Sequence, residues 1–512
     1  MVETTQRASV VVRVDSGTRI GAGHLMRCLS LALQLREIGY DVHFVCRCHD
    51  GHFSELARSE GFALHLLPLT DGPLSRDTEA PGTHWLGVPW ERDSEEVAPI
   101  LRALKPAWLV VDHYGLDGRW EASLRSLVDA ILVIDDLADR PHESDVLLDQ
   151  NLGASVDAYR TRVGPTCRKL LGPRFALLRP SFRRLALQLA GRDGSLRNVV
   201  ACAGGSDPKD ALSIVVRAWQ SLGESRPGLD LIVGASSPNL KRLRHLCDGV
   251  ANCRLHVQSD RVAETMASGD LLIAAGGSIN WERCALSLPA VLFQTAANQA
   301  SNIRSLVGSR TGFSLGSADH LEPSRLTDLL RRLATKPGLL RRLGRRSGQL
   351  VDGLGAYRTA VVMASNRLVL RRAEEADAEC AWMWRDQEAT RRYFTNSASV
   401  PLGQHLDWWR AAIRAVGRSL LIADAGKASI AVVRADHADG EATLSIYLDP
   451  TVTGLGLGSK VLRATREWLS RHHPEIRRLH ALIDPRNHAS QSAFAAAGFA
   501  QAGNRWSCEA LP

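Results

Sequence analysis

The chain has 512 residues, of which 45% are apolar, with a formal net charge of +8 and a pI near 9.1. At roughly 100–200 residues per domain this length predicts several domains, and the apolar content excludes wholesale disorder. No run of about 18 apolar residues exists to span a membrane, and the basic residues are spread rather than clustered, so acidic small ligands are expected but no nucleic-acid partner.

In chain order, VVVRV (10–14) predicts a buried strand, followed by a glycine-rich turn and an apolar helix from Leu25 to Ile38. Strands are expected again at 42–46, 107–112 and 130–134, with helices between them, and a polar, Pro-containing loop over 70–95. The segment 175–195 reads as a linker helix. The alternation then restarts with strands in VVACAGG (199–205), DLIVGA (230–235) and DLLIAAGG (270–277). Residues 323–350 are Arg-rich and helical, which predicts a solvated face. A further unit opens near Asn366 with LVLRRAEEAD. The expected fold class is α/β: a GT-B-like pair of doubly wound parallel-sheet domains, 1–180 and 181–365, followed by a third α/β domain, 366–512. Ten cysteines without a CxxC pair predict reduced, mostly buried thiols. With no apolar signal core in MVETTQRAS, the expected location is the cytoplasm.

The first candidate site is the loop Asp15-Ser16-Gly17-Thr18-Arg19-Ile20-Gly21-Ala22-Gly23-His24 between a strand and a helix. Glycines there expose backbone N–H groups and admit a large ligand, and a histidine at the helix start has the chemistry of a general base. In chain order come Asp112-His113-Tyr114-Gly115, Asp135-Asp136, LLDQNLG (147–153) and LLGPRFALLRPSF (170–182). The second half adds Gly204-Gly205-Ser206-Asp207, Ala275-Gly276-Gly277-Ser278, Trp281-Glu282-Arg283 and Asn298-Gln299. This ordered set, over residues 8–362, resembles the UDP-sugar hydrolases of pseudaminic acid biosynthesis and the related spore-coat polysaccharide proteins. The resemblance implies inverting release of UDP from UDP-2,4-diacetamido-2,4,6-trideoxy-β-L-altropyranose. In that chemistry His24 would be the base, and Asp15 its orienter, a ligand for the sugar or a structural turn carboxylate. Gly21, Gly23, Gly204, Gly205, Ser206, Asn298 and Gln299 would bind substrate, and His113 either binds substrate or packs in the core or hinge. Gly276, Gly277 and Ser278 would offer N–H groups to the UDP phosphates, and Glu282 would accept from ribose. No cluster has metal-ligand spacing, so metal-independent hydrolysis is expected.

The second candidate site lies in EATLSIYLDPTVTGLGLGSKVLRATREWL (441–469), where a strand enters a loop with Gly454, Gly456 and Gly458 and a helix follows. A strand (479–485), Arg486-Asn487-His488 and AFAAAGF (493–499) complete the pattern. At this spacing residues 366–512 resemble GNAT acetyltransferases, and the opening 370–396 with LGQHLDWW (402–409) resembles the sugar-nucleotide N-acetyltransferase of the pseudaminic pathway. The resemblance implies acetyl-CoA as cosubstrate, held by Leu455, Gly456, Leu457, Gly458, Ser459 and Asn487. The implied acceptor is the 4-amine of a UDP-amino-sugar.

Two positions depart from that family. Thr453 replaces the usual Gln or Arg, and Phe494 stands where many members carry a tyrosine acid; phenylalanine has no proton to give. Tyr447 is the substitute candidate. Trp382, Trp384, Trp408 and Trp409 read as core rather than as a platform for substrate. Two other readings remain open at this point: a GT-B glycosyltransferase, and a hydrolase with a non-catalytic acetyl-CoA-binding module.

Overall fold

A computed structural model describes residues 7–69, 83–205 and 207–511. The chain divides into two compact units, Met1–Arg36 with Asp41–Tyr357, and Glu37–Tyr40 with Arg358–Pro512. The first unit contains two parallel sheets and the second a mostly antiparallel one.

The first sheet has strands β1 (Ser9–Val14), β2 (Asp41–Arg47), β3 (Ala63–Leu67), β4 (Trp108–Asp112), β5 (Ala130–Ile134), β6 (Val146–Asp149) and β7 (Arg168–Leu171). Their order is β3-β2-β1-β4-β5-β6-β7, every pair parallel. Val11, Leu109, Val111, Ile131 and Val133 pack on one face against Val97, Leu101, Trp120 and Leu124 of the connecting helices. The intervening residues Val10, Val12 and Val110 are equally buried. A strand buried on both faces needs a continuous apolar run, which explains VVVRV. The order reverses between β1 and β4, so their carboxyl ends flank the crevice where such sheets take ligands.

The second sheet, β8 (Asn198–Cys202), β9 (Gly228–Val233), β10 (Cys253–Val257), β11 (Leu271–Ala275), β12 (Ala290–Gln294) and β13 (Gly312–Ser317), has the order β10-β9-β8-β11-β12-β13, again parallel. Alternate residues of β8 enter different cores. Val199 and Ala201 join Val215, Trp219, Leu326 and Leu330, while Val200 and Cys202 join Phe182, Trp281 and Leu306. Helices therefore cover both faces, as a doubly wound sheet requires. The two parallel sheets with helices on both faces are the GT-B-like pair expected.

The third sheet comprises β14 (Leu368–Arg372), β15 (Arg418–Ala425), β16 (Ala428–Ala438), β17 (Glu441–Leu448), β18 (Arg478–Leu482), β19 (Ala500–Ala502) and β20 (Arg505–Glu509), ordered β14-β15-β16-β17-β18-β20-β19. Its one parallel pair is β17 with β18, in register from Glu441↔Arg478 to Thr443↔His480. Beyond Thr443 the two strands part.

One local expectation changes. Part of the expected 70–95 loop is helical: Thr83–Leu86 and Trp90–Leu104 are helices, while residues 70–82 lie outside the described residues. Pro89 and the charged residues after it hid the start of an amphipathic helix whose inner face is Val97, Ala98 and Leu101. The Arg-rich stretch is two helices, Pro323–Ala334 and Pro337–Leu350, each with proline in its first turn, where a missing N–H costs nothing. Arg331, Arg332, Arg341, Arg342 and Arg345 are exposed, a solvated face. All ten cysteines are free. No helix among the described residues is long and apolar enough to cross a membrane.

Candidate active sites

His24 sits in the first turn of the helix Gly23–Glu37, beside the β1–β4 crevice. Its Nδ1 lies 2.6 Å from Asp112 Oδ1 at the end of β4. A carboxylate only accepts, so in the neutral ring Nδ1 carries the proton and Nε2 the lone pair. Asp112 is itself clamped by Arg27, one turn further along the same helix: Nε to Oδ2 and Nη2 to Oδ1 are both 2.6 Å. Arg27 also donates to Asp136 at 3.0 Å, tying β4 to the end of β5. Burial would raise the Asp112 carboxyl, but Arg27 and then His24 hold it well below the usual carboxylate range. Tyr114 packs edge-on against His24, with ring centroids 4.6 Å apart. Burial, reinforced by Asp136, pushes its phenol up, so it keeps its proton.

The carboxylate in contact with His24 is therefore Asp112, not Asp15. Asp15 is fully buried, and its oxygens are already occupied. It pairs with Arg13, accepts from the Arg47 backbone N–H at 2.7 Å, and lies 3.2 Å from both His49 Nε2 and His113 Nε2. Arg13 and Arg47 also bind Asp93, to which Trp120 donates at 3.0 Å. This is a paired charge network under the crevice, the one arrangement in which buried ions are tolerated. His113 Nδ1 accepts from Gly115 N–H at 2.9 Å, so both of its ring nitrogens face protein groups. Burial lowers its pKa, with Asp15 opposing.

Gly21 adopts φ +81°, a conformation that favours glycine. Its N–H donates to Gly17 O at 2.7 Å, closing the loop on itself instead of facing a ligand. Gly23 is exposed. A side-chain carbon placed on Gly23 would lie 3.8 Å from Ser278 Oγ, so the first loop meets the Gly276–Ser278 turn that follows β11.

That turn is held by three amides. Asn280 donates to Ala275 O and Gly277 O, and Asn302 donates to Gly276 O. Gln299 Oε1 accepts from Gly276 N–H at 3.3 Å and from Thr295 N–H at 2.9 Å. One expectation is corrected by this. The Gly276 N–H is committed to Gln299, and the Gln299 carbonyl is committed to the turn, leaving Gly277 and Ser278 as its outward backbone. Asn298 is exposed at the start of the helix Gln299–Gly308. Glu282 is partly buried, 3.4 Å from Arg179; burial raises its pKa and Arg179 opposes.

Gly204 and Gly205 are exposed after β8, Gly204 at φ +89°. Ser206 lies outside the described residues. Asp207 accepts from Ala211 N–H and Leu212 N–H, so it caps a helix, and burial pushes it up to about 6. Sequence reasoning missed Arg27, His49 and the role of Asp112. The signal for Arg27 was its i+3 spacing from His24.

In the second unit Gly454 and Gly456 have φ +75° and +65°, and Gly456 precedes the helix Leu457–His472. Leu455 and Leu457 are buried, so only their backbones remain to meet a ligand. Ser459 Oγ donates to Gly456 O at 3.2 Å. A side-chain carbon on Gly458 would sit 3.2 Å from Ala493 Cβ, which brings the helix His488–Ala496 close. Asn487 caps that helix, accepting from Ser490 N–H at 3.1 Å. Phe494 is buried edge-on to Phe499, and Thr453 Oγ1 donates to Pro450 O. Tyr447 lies on β17 past the point where β18 diverges, against Phe394; burial pushes its phenol up, against Arg385 and Arg434. Trp384 and Trp409 are core, Trp382 donates to Val400 O, and Trp408 is exposed.

Residues 367–500 match the acetyltransferase (GNAT) domain family. The chain is 27% identical over 275 residues to the UDP-2,4-diacetamido-2,4,6-trideoxy-beta-L-altropyranose hydrolase of Campylobacter jejuni, covering 53% of this chain and 86% of that protein. It is 22% identical over 364 residues to the spore coat polysaccharide biosynthesis protein SpsG of Bacillus subtilis, covering 69% and 97%. An uncharacterized protein of Methanocaldococcus jannaschii aligns over 509 residues at 18% identity, 96% of each chain. The chain thus joins a part similar to the pseudaminic-pathway UDP-sugar hydrolase to a C-terminal GNAT acetyltransferase domain.

Proposed function

We propose that the first unit hydrolyses UDP-2,4-diacetamido-2,4,6-trideoxy-β-L-altropyranose, and that the second acetylates the 4-amine of the UDP-amino-sugar that precedes it. The observation that carries the hydrolase reading is the Asp112–His24 pair at 2.6 Å beside the β1–β4 crevice, with Gly23 adjoining Ser278. Its Nδ1–H donated to Asp112, His24 takes a proton from water through Nε2. The water oxygen attacks the anomeric carbon, the bond to the diphosphate oxygen breaks, and the sugar inverts. UDP departs toward the outward backbone of Gly277 and Ser278, with Glu282 beside the ribose. Fixed N–H dipoles stabilise the charge that develops on the leaving group. No step in this scheme calls on a metal.

For the second unit the support is the GNAT match together with the glycine loop before a long helix and the parting of β17 from β18. Acetyl-CoA lies with its diphosphate on the backbone of residues 455–459 and with Asn487 beside its pantetheine arm. The acceptor amine attacks the thioester carbonyl, the C–S bond breaks, the nitrogen gives its proton to solvent, and the CoA sulfur takes one from Tyr447, the candidate acid, or from water. Burial raises the pKa of that phenol, which makes it a weaker acid than a free tyrosine.

Incubating the protein with the UDP-4-amino-4,6-dideoxy sugar, with and without acetyl-CoA, tests both halves. CoA release followed by UDP release is expected. UDP release only from pre-acetylated substrate would reduce the second unit to a binding module. Turnover that requires a sugar acceptor other than water would make the first unit a glycosyltransferase.

A further inference from the structure

Within the second unit, three side chains converge that the proposed acetyl transfer does not use. His437 is near the end of β16, and His473 and Glu475 are in the connection between the helix Leu457–His472 and β18. One ligand-type atom from each lies within 4.8 Å of the others. We propose that His437, His473 and Glu475 form a binding site for a divalent transition-metal ion of the zinc type.

The donor set and its geometry carry this assignment. Two imidazoles and one carboxylate suit zinc, with water as a fourth ligand. Ligands about 2.0–2.1 Å from a tetrahedral ion lie about 3.3–3.4 Å from one another. His473 Nδ1 and Glu475 Oε1 are 3.1 Å apart, already near that edge. The rings of His437 and His473 have centroids 4.4 Å apart and are tilted by 44°, and a nitrogen of each lies within 4.8 Å of the other's and of a Glu475 oxygen.

A second feature is the partner of His473 on its other side. Ser419 is buried, and its Oγ lies 3.1 Å from His473 Nε2. An oxygen on the far nitrogen is what a metal-bound histidine typically has, because it fixes the ring and its tautomer. With Nε2–H donating to Ser419, the Nδ1 lone pair is left on the side of the Glu475 carboxylate, where the two can share one ion. The neighbouring His472 does not compete, since its Nδ1 is held by Trp468 O at 2.8 Å. Bound there, the ion would tie the end of β16 to the segment leading into β18, beside the short β17–β18 pairing.

Full-length protein stripped with chelator and dialysed is titrated with Co²⁺, and the bound Co²⁺ is then displaced with Zn²⁺. One equivalent of Co²⁺ should give visible d–d absorption without a thiolate charge-transfer band, and Zn²⁺ should raise the melting temperature. His437→Ala and Glu475→Gln should each weaken binding by more than about 100-fold, and Ser419→Ala by about 10-fold. Glu475 is exposed, so Glu475→Gln reads the site without disturbing the fold. Failure to bind either ion, a thiolate band that places the metal on cysteine, or unchanged affinity in His437→Ala and Glu475→Gln with a wild-type metal-free melting temperature would overturn the assignment.

Discussion

Asp112 and Asp15 are both buried carboxylates at the ends of neighbouring strands, and their partners separate their roles. Asp112 pairs with Arg27 and with His24, the histidine of the glycine loop, whereas Asp15 pairs with Arg13, the Arg47 N–H, His49 and His113 and has no bond to His24. Under the proposed mechanism, Asp112→Asn removes the negative charge and replaces one of the two acceptor oxygens that Arg27 and His24 share with an NH2 donor, so the His24 tautomer is no longer fixed. Hydrolysis should fall by about 10²–10⁴-fold, with UDP-sugar affinity much less affected. His24→Ala should behave alike, and combining the two should cost little more than either alone, because they act as a unit. Steady-state kinetics on the three variants checks this; an Asp112→Asn enzyme at wild-type kcat would break the pair's role. Asp149 makes a separate, pH-dependent case. Burial lifts its carboxyl to about 7, against the bonds it accepts from Asn151 N–H and Tyr159 OH. An aspartate in the unfolded chain titrates near 3.9, so between these values the folded protein holds a proton that the unfolded chain has released. This contribution to stability is greatest below about pH 4 and is lost as pH rises to about 7. Asp149→Asn mimics the protonated form at every pH. Its stability should lack a decline on the order of 2–3 kcal/mol that wild type shows between about pH 5 and 7. Melting curves that stay parallel across that range would show that Asp149 is ionised in the folded protein.

At the scale of elements, the turns that precede helices carry most of the candidate binding chemistry, and they are not equivalent. In the first unit the Gly276 N–H is consumed by Gln299 and the Gly21 N–H by Gly17. At Gly456, by contrast, a side-chain carbon would meet no protein atom within 4 Å, and φ is +65°. Gly456→Glu therefore places a carboxylate in the space assigned to the acetyl-CoA diphosphate and also strains the backbone. Acetyl-CoA affinity should drop by about 100-fold or more, since like charges brought together cost several kcal/mol. Calorimetric titration measures it, and unchanged affinity would remove this loop from the CoA site. These turns were legible in the sequence because glycine clusters between an apolar run and a helix have few other meanings. What each N–H bonds to was not legible, since Gln299 and Asn302 reach the Gly276 turn only after the sheet has formed. For the same reason the His24–Asp112 pair escaped a reading that looked within one loop, where Asp15 was the nearer carboxylate. The start of the helix Trp90–Leu104 was read as loop because its charged first turns follow Pro89 and its inward-facing apolar positions begin only at Val97. The parallel strands were visible as unbroken apolar runs, a pattern that burial on both faces imposes.

For the whole molecule, the consequence of the two-unit organisation is that each proposed reaction has its own residues on one chain. His24→Ala should spare CoA release from the UDP-amino-sugar, and Gly456→Glu should spare UDP release from the diacetamido substrate. Neither variant alone should carry the amino sugar through to free diacetamido sugar at more than a small fraction of the wild-type rate. An equimolar mixture of the two should do so, because the intact acetyltransferase on one chain supplies an intermediate that the intact hydrolase on another can take from solution. The mixture should show a lag while that intermediate accumulates toward the hydrolase KM. Wild type should show a shorter lag only if tethering raises the local concentration of the intermediate above that in bulk. Equal lags at matched active-site concentrations would mean that the intermediate equilibrates with solvent between the two reactions. A mixture that never forms free sugar, while each variant retains its one activity, would mean that the acetylated product of one unit is not the substrate of the other. The two halves would then belong to different reaction sequences.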